Sequence, residues 1–579
     1  MDPGITSSRN DLVLTGPGLD ENNVENGNVS TFKIKEEKQQ EESDVKYGID
    51  DVPSWYLCIL MGLQNYFTMI GSIMTIPFIL TPALCMHYDD PARSHIICTM
   101  IFVTGIVTWV QSTFGCRLPI VQGGTISLLV PTLAVLNLPE LQCPAAEVIE
   151  QMSPENRTEL WQSRMRVLSG AISVAAILQV AIGVFGIVGV LVRYVTPLTI
   201  VPTVSLIGLS FFENAANAAM HHWGIAAGTV LMLTLFSQVL KEVHVPLLTY
   251  KYRHGFKIIW FQFFKLFPVL LTVMVMWGLC GLLTLTGHLP EEHPARTDFK
   301  IKIVEDSPWF RIPYPGQWGV PKITPSGVLG MMAGVLACTV QSISFYPTTA
   351  RLCDAPPPPV HVINRGIVIE GLGTIVAGLF GTGNGTNTFG ENVAAIGVTK
   401  IGSRRVIQCA AILMVVVGLV TKFGAVFVII PQPIVGGMFC VMFGIIVAFG
   451  LSALQYVNLN SSRNLYIVGF SVFFSIVLTR WVKAHPDVIK TGSDIADNTI
   501  TVLLSTSILI GGIIGCVFDH IIPGTPKDRG LIAWREQMQL VSDREKAELP
   551  STYDFPVGME YLRRHKFFAQ LPFMPTYKP

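Results

Sequence analysis

Twelve apolar runs, each long enough to cross about 30 Å of hydrocarbon, follow one another between residues 55 and 520. They fall near 55–83, 94–114, 166–191, 196–212, 222–240, 261–287, 325–345, 363–380, 403–420, 426–450, 464–480 and 500–520. Two more apolar stretches, near 118–137 and 383–399, are shorter and interrupted by Gly and Pro. Counting them gives fourteen membrane segments. Only 14% of the residues are charged, well below the share a soluble domain carries, which points the same way. The net charge is zero, so the chain presents no basic field for nucleic acid.

The fourteen segments divide into two sets of seven, 52–287 and 325–520, and the third segment of each set is the broken one. Seven is odd, so the second set is expected to run through the membrane inverted relative to the first. Matched interrupted segments in inverted halves are the sequence mark of a transporter's substrate site. Irregular backbone at membrane depth has to be shielded by protein or line a cavity. The half-helices then begin in mid-membrane, with free N–H groups and a positive end turned toward a ligand.

Residues 1–50 are rich in Asn, Glu, Lys, Gln and Ser, a composition that cannot bury a core, and read as a disordered tail. The stretch has no apolar core of a cleavable signal. Basic residues including Arg117, Lys241, Arg351, Arg365, Lys400, Arg404, Arg405 and Arg463 fall in or beside connections of one parity. Those connections, both termini and the 521–579 tail are therefore expected on the cytoplasmic side. Connections 138–165 and 288–324 are then outside, where the Asn156-Arg157-Thr158 sequon is the glycosylation candidate. The 11 cysteines show no CxxC spacing, and most lie in apolar runs as small hydrophobes. Cys85 and Cys143 lie at or beyond span ends on the outer side. A disulfide between them is one possibility, but unpaired thiols are the favoured reading.

Ionisable residues inside a membrane are costly and are functional candidates. Glu391 follows Gly390 at the expected start of the second half-helix. An ionised carboxylate only accepts hydrogen bonds, so it would select a ligand that offers N–H donors. Its other reading is a helix cap. Glu370, one span earlier, reads equally as packing or function. Gln341 and the pair Gln64 and Asn65 lie mid-span, where an amide either meets a flat polar ligand or bridges two helices. Gly381-Thr-Gly-Asn-Gly-Thr386 lacks the Gly-Lys-Ser/Thr ending of a phosphate loop, and hydrolase and zinc-protease motifs are missing. The chain is not expected to be an enzyme or to need a cofactor.

On these residues the chain resembles the nucleobase–ascorbate transporters, in particular their animal branch. The resemblance spans about residues 52–560 and rests on Gly62-Leu-Gln-Asn-Tyr66, Pro202-Thr-Val-Ser-Leu-Ile-Gly-Leu-Ser210, Ala355-Pro-Pro-Pro-Pro-Val-His361, Gly381-Thr-Gly-Asn-Gly385, Lys400-Ile-Gly-Ser-Arg-Arg405 and Ile522-Pro-Gly-Thr-Pro526. The signature Gln/Glu/Pro-Asn-x-Gly-x4-Thr-Lys/Arg reads here Glu391-Asn392-Val-Ala394-Ala-Ile-Gly-Val-Thr399-Lys400. The resemblance implies an all-α polytopic fold with short strands at the two broken segments. It implies a core domain (about 52–191 and 325–420) that rises and falls against a gate domain (about 196–287 and 426–520), within a homodimer in the plasma membrane. It places substrate near Glu391, Asn392, Gly390, Gln341, Gly123 and Gly124, with Phe345 and Asn65 at neighbouring family positions. The chain departs from the pattern at three of these points. Phe345 stands where the animal branch has the Asp linked to sodium, Gln341 where it has Glu, and Asn65 where it has His. The coupling ion, Na+ or H+, is left open. Glu391 would repel an anion such as ascorbate in a low dielectric and accept from a neutral uracil or purine, so a nucleobase is the favoured substrate and ascorbate the alternative. A non-transporting membrane scaffold is the alternative of another class, and a pore a weaker one.

Overall fold

The computed structural model describes residues 45–577, apart from 190–195, 252–254, 292, 299, 486–487 and 533–550. The first half opens with helices α1 (Trp55–Ala83) and α2 (Ala92–Thr113), then strand β1 (Gln122–Gly124) and half-helix α3 (Ile126–Leu136). Next come α4 (Pro154–Val184), α5 (Pro197–Leu209), α6 (Phe212–Ala219) and α7 (Trp223–Thr234). A hairpin of β2 (Val245–Lys251) and β3 (Gly255–Phe261) leads into α8 (Pro268–Leu285). The second half repeats the opening with α9 (Pro325–Leu352), α10 (Val360–Leu379), strand β4 (Thr386–Thr388) and half-helix α11 (Gly390–Thr399). It ends with α12 (Arg404–Leu419), α13 (Thr421–Val428), α14 (Gln432–Ser452), α15 (Ser462–Ala484), α16 (Asp494–Leu504) and α17 (Ser507–Ile521).

Every one of the fourteen expected segments holds a helix. Among the described residues nine spans are long and apolar enough to cross a bilayer, one of them α5 continued through α6, and α16 with α17, bent by 73°, makes a tenth when counted as one span. The remaining four segments hold α3, α7, α11 and α12. The β2–β3 hairpin was not expected from the sequence. It occupies what reads there as an inner connection and the first residues of a span.

The two halves correspond piece by piece. Helix α4 packs on α9 and α10, while its counterpart α12 packs on α1 and α2. Half-helix α3 lies against α9, and α11 against α1. Strands β1 and β4 pair antiparallel, so the half-helices leave the crossing in opposite directions, as inverted repeats require. A second group forms where α5 packs on α14 and α17, α7 on α14, and α15 on α17.

Two expectations at the ends of the bundle are corrected. First, Cys85 and Cys143 form a disulfide. Cys85 closes the turn after α1, and the chain after α3 folds back over that same turn, which brings the two cysteines to 5.6 Å between Cα atoms. Second, the expected tail does not run to residue 50. Residues 1–44 lie outside the described residues, but Lys46 N–H donates to Lys400 C=O at 2.8 Å, and Arg404 Nη1 to Asp50 Oδ1 at 2.9 Å. Backbone bonds, one ion pair and the buried side chain of Ile49 dock this segment, although its composition carries no apolar run. The C-terminal segment arrives at the same end, where Arg404 also donates to Thr552 C=O, and Arg365 to Tyr553 C=O at 2.8 Å. Both terminal segments thus meet on the face opposite the disulfide. Asn156, read as lying in a loop, is exposed in the first turn of α4.

Candidate functional site

Three residue pairs make the crossing: Gln122 with Thr388, Gly123 with Asn387 and Gly124 with Thr386. So short a ladder has unsatisfied outer edges, which in hydrocarbon cost several kcal/mol per group. A threonine from the second helix of each half satisfies them. Thr108 Oγ1 of α2 takes the N–H of Gln122 at 2.9 Å and donates to its C=O at 3.1 Å. Thr374 Oγ1 of α10 takes the N–H of Thr386 at 3.1 Å and donates to its C=O at 3.2 Å. The inverted symmetry extends to these side chains.

The half-helices start at this crossing. Thr125 caps α3, its hydroxyl accepting from Ser127 N–H at 3.2 Å, and Asn384 Oδ1 accepts from Thr125 N–H at 3.0 Å. Half-helix α11 has no side-chain cap. Its first turn carries Glu391, whose Oε1 accepts from Ser72 Oγ of α1 at 2.7 Å. Glu391 is exposed, and it lines a cavity of about 330 Å³. The walls include Thr68 and Ser72 of α1 and Met442 and Ile445 of α14, and the cavity reaches Ser237, Gln238 and Lys265. The positive end of α11 lies beside this carboxylate. One of its oxygens remains available to a ligand.

The other expected site residues fall into three sets. Gly390 and Phe345 sit beside Glu391. A methyl group on Gly390 would lie 2.6 Å from the Phe345 ring, which stacks on Phe449 of α14 at 5.5 Å between centroids. Gly123 is likewise covered by Phe389, 2.2 Å from where its Cβ would be, whereas Gly124 faces Ile76 and Met100 in the packed interior. Gln341 accepts from Asn387 Nδ2 at 2.7 Å, which fixes its amide beside the crossing, away from the walls of the cavity. Asn65 and Asn392 meet each other. Asn392 Nδ2 donates to the C=O and Oδ1 of Asn65 at 2.9 and 3.1 Å, tying α11 to α1. Of the eight expected residues, Glu391 is the one that opens onto the cavity.

Glu370 resolves as a structural hub. Fully buried, it accepts from Ser342, Gln179, Tyr346 and Thr388 at 2.7 to 3.4 Å. It thereby joins α4, α9, α10 and β4. Ser72, Asn387 and Thr388 are site neighbours that sequence reasoning missed. Asn387 and Thr388 belong to the polar run within the broken segment, which was the available signal, whereas Ser72 gives none.

A bundle of apolar helices, with two opposed half-helices starting at one strand crossing and a carboxylate in the first turn of the second, defines a polytopic membrane transporter. Residues 57–484 match the Xan_ur_permease model, described as a permease family, and the chain belongs to that family. It is 45% identical over 542 residues to rat Solute carrier family 23 member 1, covering 92% of this chain and 89% of that one. It is 34% identical to Nucleobase-ascorbate transporter 1 of Arabidopsis thaliana, covering 91% of this chain and 98% of that one. Among solved structures, the murine Solute Carrier 26 family member A9 anion transporter is similar at a TM-score of 0.49 and 12% identity, over 82% of this chain and 69% of that one.

Proposed function

We infer that the protein is a secondary active transporter of a small, flat, neutral polar ring, a uracil- or purine-type nucleobase, with Glu391 as its principal contact. The observation that carries this reading is the Glu391 carboxylate at the start of α11. It faces a cavity of about 330 Å³ with one oxygen bound to Ser72 and the other open to a donor. A ring N–H pairs with such an acceptor, and aromatic walls such as Phe67 and Phe267 suit a planar ligand. The printed name of the Arabidopsis relative joins nucleobase and ascorbate. The charge at position 391 favours the first, because two like charges in a low dielectric repel strongly.

The group of α1–α4 with α9–α12 forms the core and the group of α5–α8 with α14–α17 the gate; transport is an elevator-like movement of the first against the second. The cavity at Glu391 leads to the face that carries both terminal segments. That face is cytoplasmic, the disulfide face is extracellular in the plasma membrane, and two copies form a homodimer. Asn156, exposed near the disulfide, is the glycosylation site. Where the family carries its sodium-linked Asp, Phe345 stacks on an aromatic ring, so the coupling ion is assigned by measurement.

The test is competition uptake in proteoliposomes with uracil, xanthine, urate and ascorbate, with and without sodium and with an imposed proton gradient. A saturable flux blocked by uracil or xanthine is expected, and Glu391→Pro abolishes it without lowering the amount of protein reconstituted or, in cells, its surface expression. Absence of saturable flux for every compound would replace this reading with the scaffold.

A further inference from the structure

A second cavity, of about 280 Å³, lies at the disulfide face between α1 and α2 on one side and α6 and α14 on the other. Its polar lining is Thr81, Arg93, Lys300, His221, Asn214, Asn217 and Gln432, and among the described residues no carboxylate lines it. Arg93 and Lys300 are each only 8% exposed. The Arg93 guanidinium donates to the backbone C=O groups of Met86 and His87 at 2.7 and 2.9 Å. These bonds fix the position of the guanidinium. Asp89 and Asp90 on the turn before α2 face Arg93 from outside the cavity, and Asp90 spends one oxygen on Ala92 N–H.

Lys300 comes from the long connection before α9, which is anchored on both sides of the cavity. Pro294 C=O accepts from Gln432 N–H of α14 at 3.3 Å, and Ser307 bonds Ser94 of α2 at 3.2 Å. Among the described residues the Lys300 ammonium has no hydrogen-bond or ion-pair partner. A buried cation without a counter-charge is costly, and here a second buried cation stands nearby. Burial, and then Arg93, push the Lys300 amine down to about 7. Burial, His293 and Lys300 likewise push His221 below its usual range.

We propose that this cavity is a binding site for a small monovalent anion, held by Lys300 and Arg93 with the amides of Asn214, Asn217 and Gln432 around it. An anion supplies the missing counter-charge, and the amides supply N–H donors. The site joins the first helix group to the second, so its occupant stabilises them in the arrangement seen here. It stands apart from Glu391 and does not depend on which substrate Glu391 takes. The shared chemistry is one negative charge with acceptor lone pairs, which either a halide or an organic enolate or carboxylate provides.

The test uses the purified full-length chain in detergent at constant sodium, with sulfate, a divalent anion outside the proposed class, replaced stepwise by chloride or by ascorbate, and thermal unfolding as the readout. Ligand that binds the folded state raises the melting temperature. The expected result is a saturable rise with at least one of the two anions. Lys300→Met weakens the apparent affinity at least tenfold and raises the anion-free melting temperature, because an unpaired buried charge is gone. Lys300→Arg keeps the response. In the wild type the response fades as pH rises through about 7, where Lys300 loses its proton; in Lys300→Arg it does not fade. Chloride alone active identifies a halide, ascorbate alone an organic anion. No saturable rise in the wild type, or an identical rise in Lys300→Met, overturns the site.

Discussion

Glu391→Gln separates the two substrate classes by sign. Glutamine keeps the length and the acceptor oxygen that takes Ser72 Oγ at 2.7 Å, so the local geometry survives and the charge is removed. A hydrogen bond to a charged acceptor contributes about 1.5–3 kcal/mol and one between neutral groups about 0.5–1.5 kcal/mol. With that oxygen held by Ser72, the substrate-facing atom becomes an N–H₂ donor, so a substrate N–H loses the whole charge-assisted bond, about 1.5–3 kcal/mol or a tenfold or greater rise in KM. For an anion the sign reverses. Two unit charges about 4 Å apart at an effective dielectric constant of 20 repel by about 4 kcal/mol, and removing one of them strengthens binding. Tracer uptake of uracil or xanthine and of ascorbate, normalised to surface protein, reads both effects. The expected pattern is a tenfold or greater rise in KM for the nucleobase with ascorbate unchanged or improved. If ascorbate weakens while the nucleobase does not, the carboxylate is not acting as the acceptor described here.

Two further perturbations test the frame around the site. Glu370→Gln places an amide N–H₂ among four donors and leaves at least one buried donor unpaired, at a cost of about 1–3 kcal/mol. The melting temperature of the purified protein should fall by a few degrees with KM unmoved, and a changed KM at unchanged stability would make Glu370 a substrate contact instead. Maleimide labelling of denatured, unreduced protein should modify nine cysteines, and all eleven after reduction. Eleven without reduction would break the Cys85–Cys143 assignment.

The apolar segments and the two broken ones are legible in the sequence because hydrocarbon imposes length and backbone satisfaction on any chain that crosses it, whereas the short strands within the breaks follow from the family resemblance. Glu391 is legible for the same reason: a charge is rare there. Side-chain partners are not legible in this way. Ser72 in an apolar helix looks like any small residue that eases helix contact, and only the fold brings it to Glu391 from 319 positions away. The amide of Asn65 allows ligand or helix contact equally, and the partner amide on Asn392 decides for contact. Disulfide connectivity is not contained in cysteine spacing. The terminal segments mislead by composition, since Asp50 and the single buried aromatic Tyr553 anchor them without an apolar run.

The way the crossing is closed also constrains how a substrate can pass. The three-pair ladder would be unstable alone, and its outer backbone groups are held by Thr108 and Thr374 from helices α2 and α10. Glu370 then ties the same ladder to α4, α9 and α10. Unravelling the crossing to let a ligand through would expose these N–H and C=O groups at membrane depth, each at several kcal/mol. Displacing the whole group as one body breaks none of those bonds. It strains instead the contacts between groups, such as the Phe345–Phe449 stack and the walls that Met442 and Ile445 set opposite Glu391. Those contacts are apolar and non-directional, and they can re-form after a slide. The bonds that close the crossing lie within the first group, while the Phe345–Phe449 stack and the cavity walls lie between the two, which supports the movement proposed above.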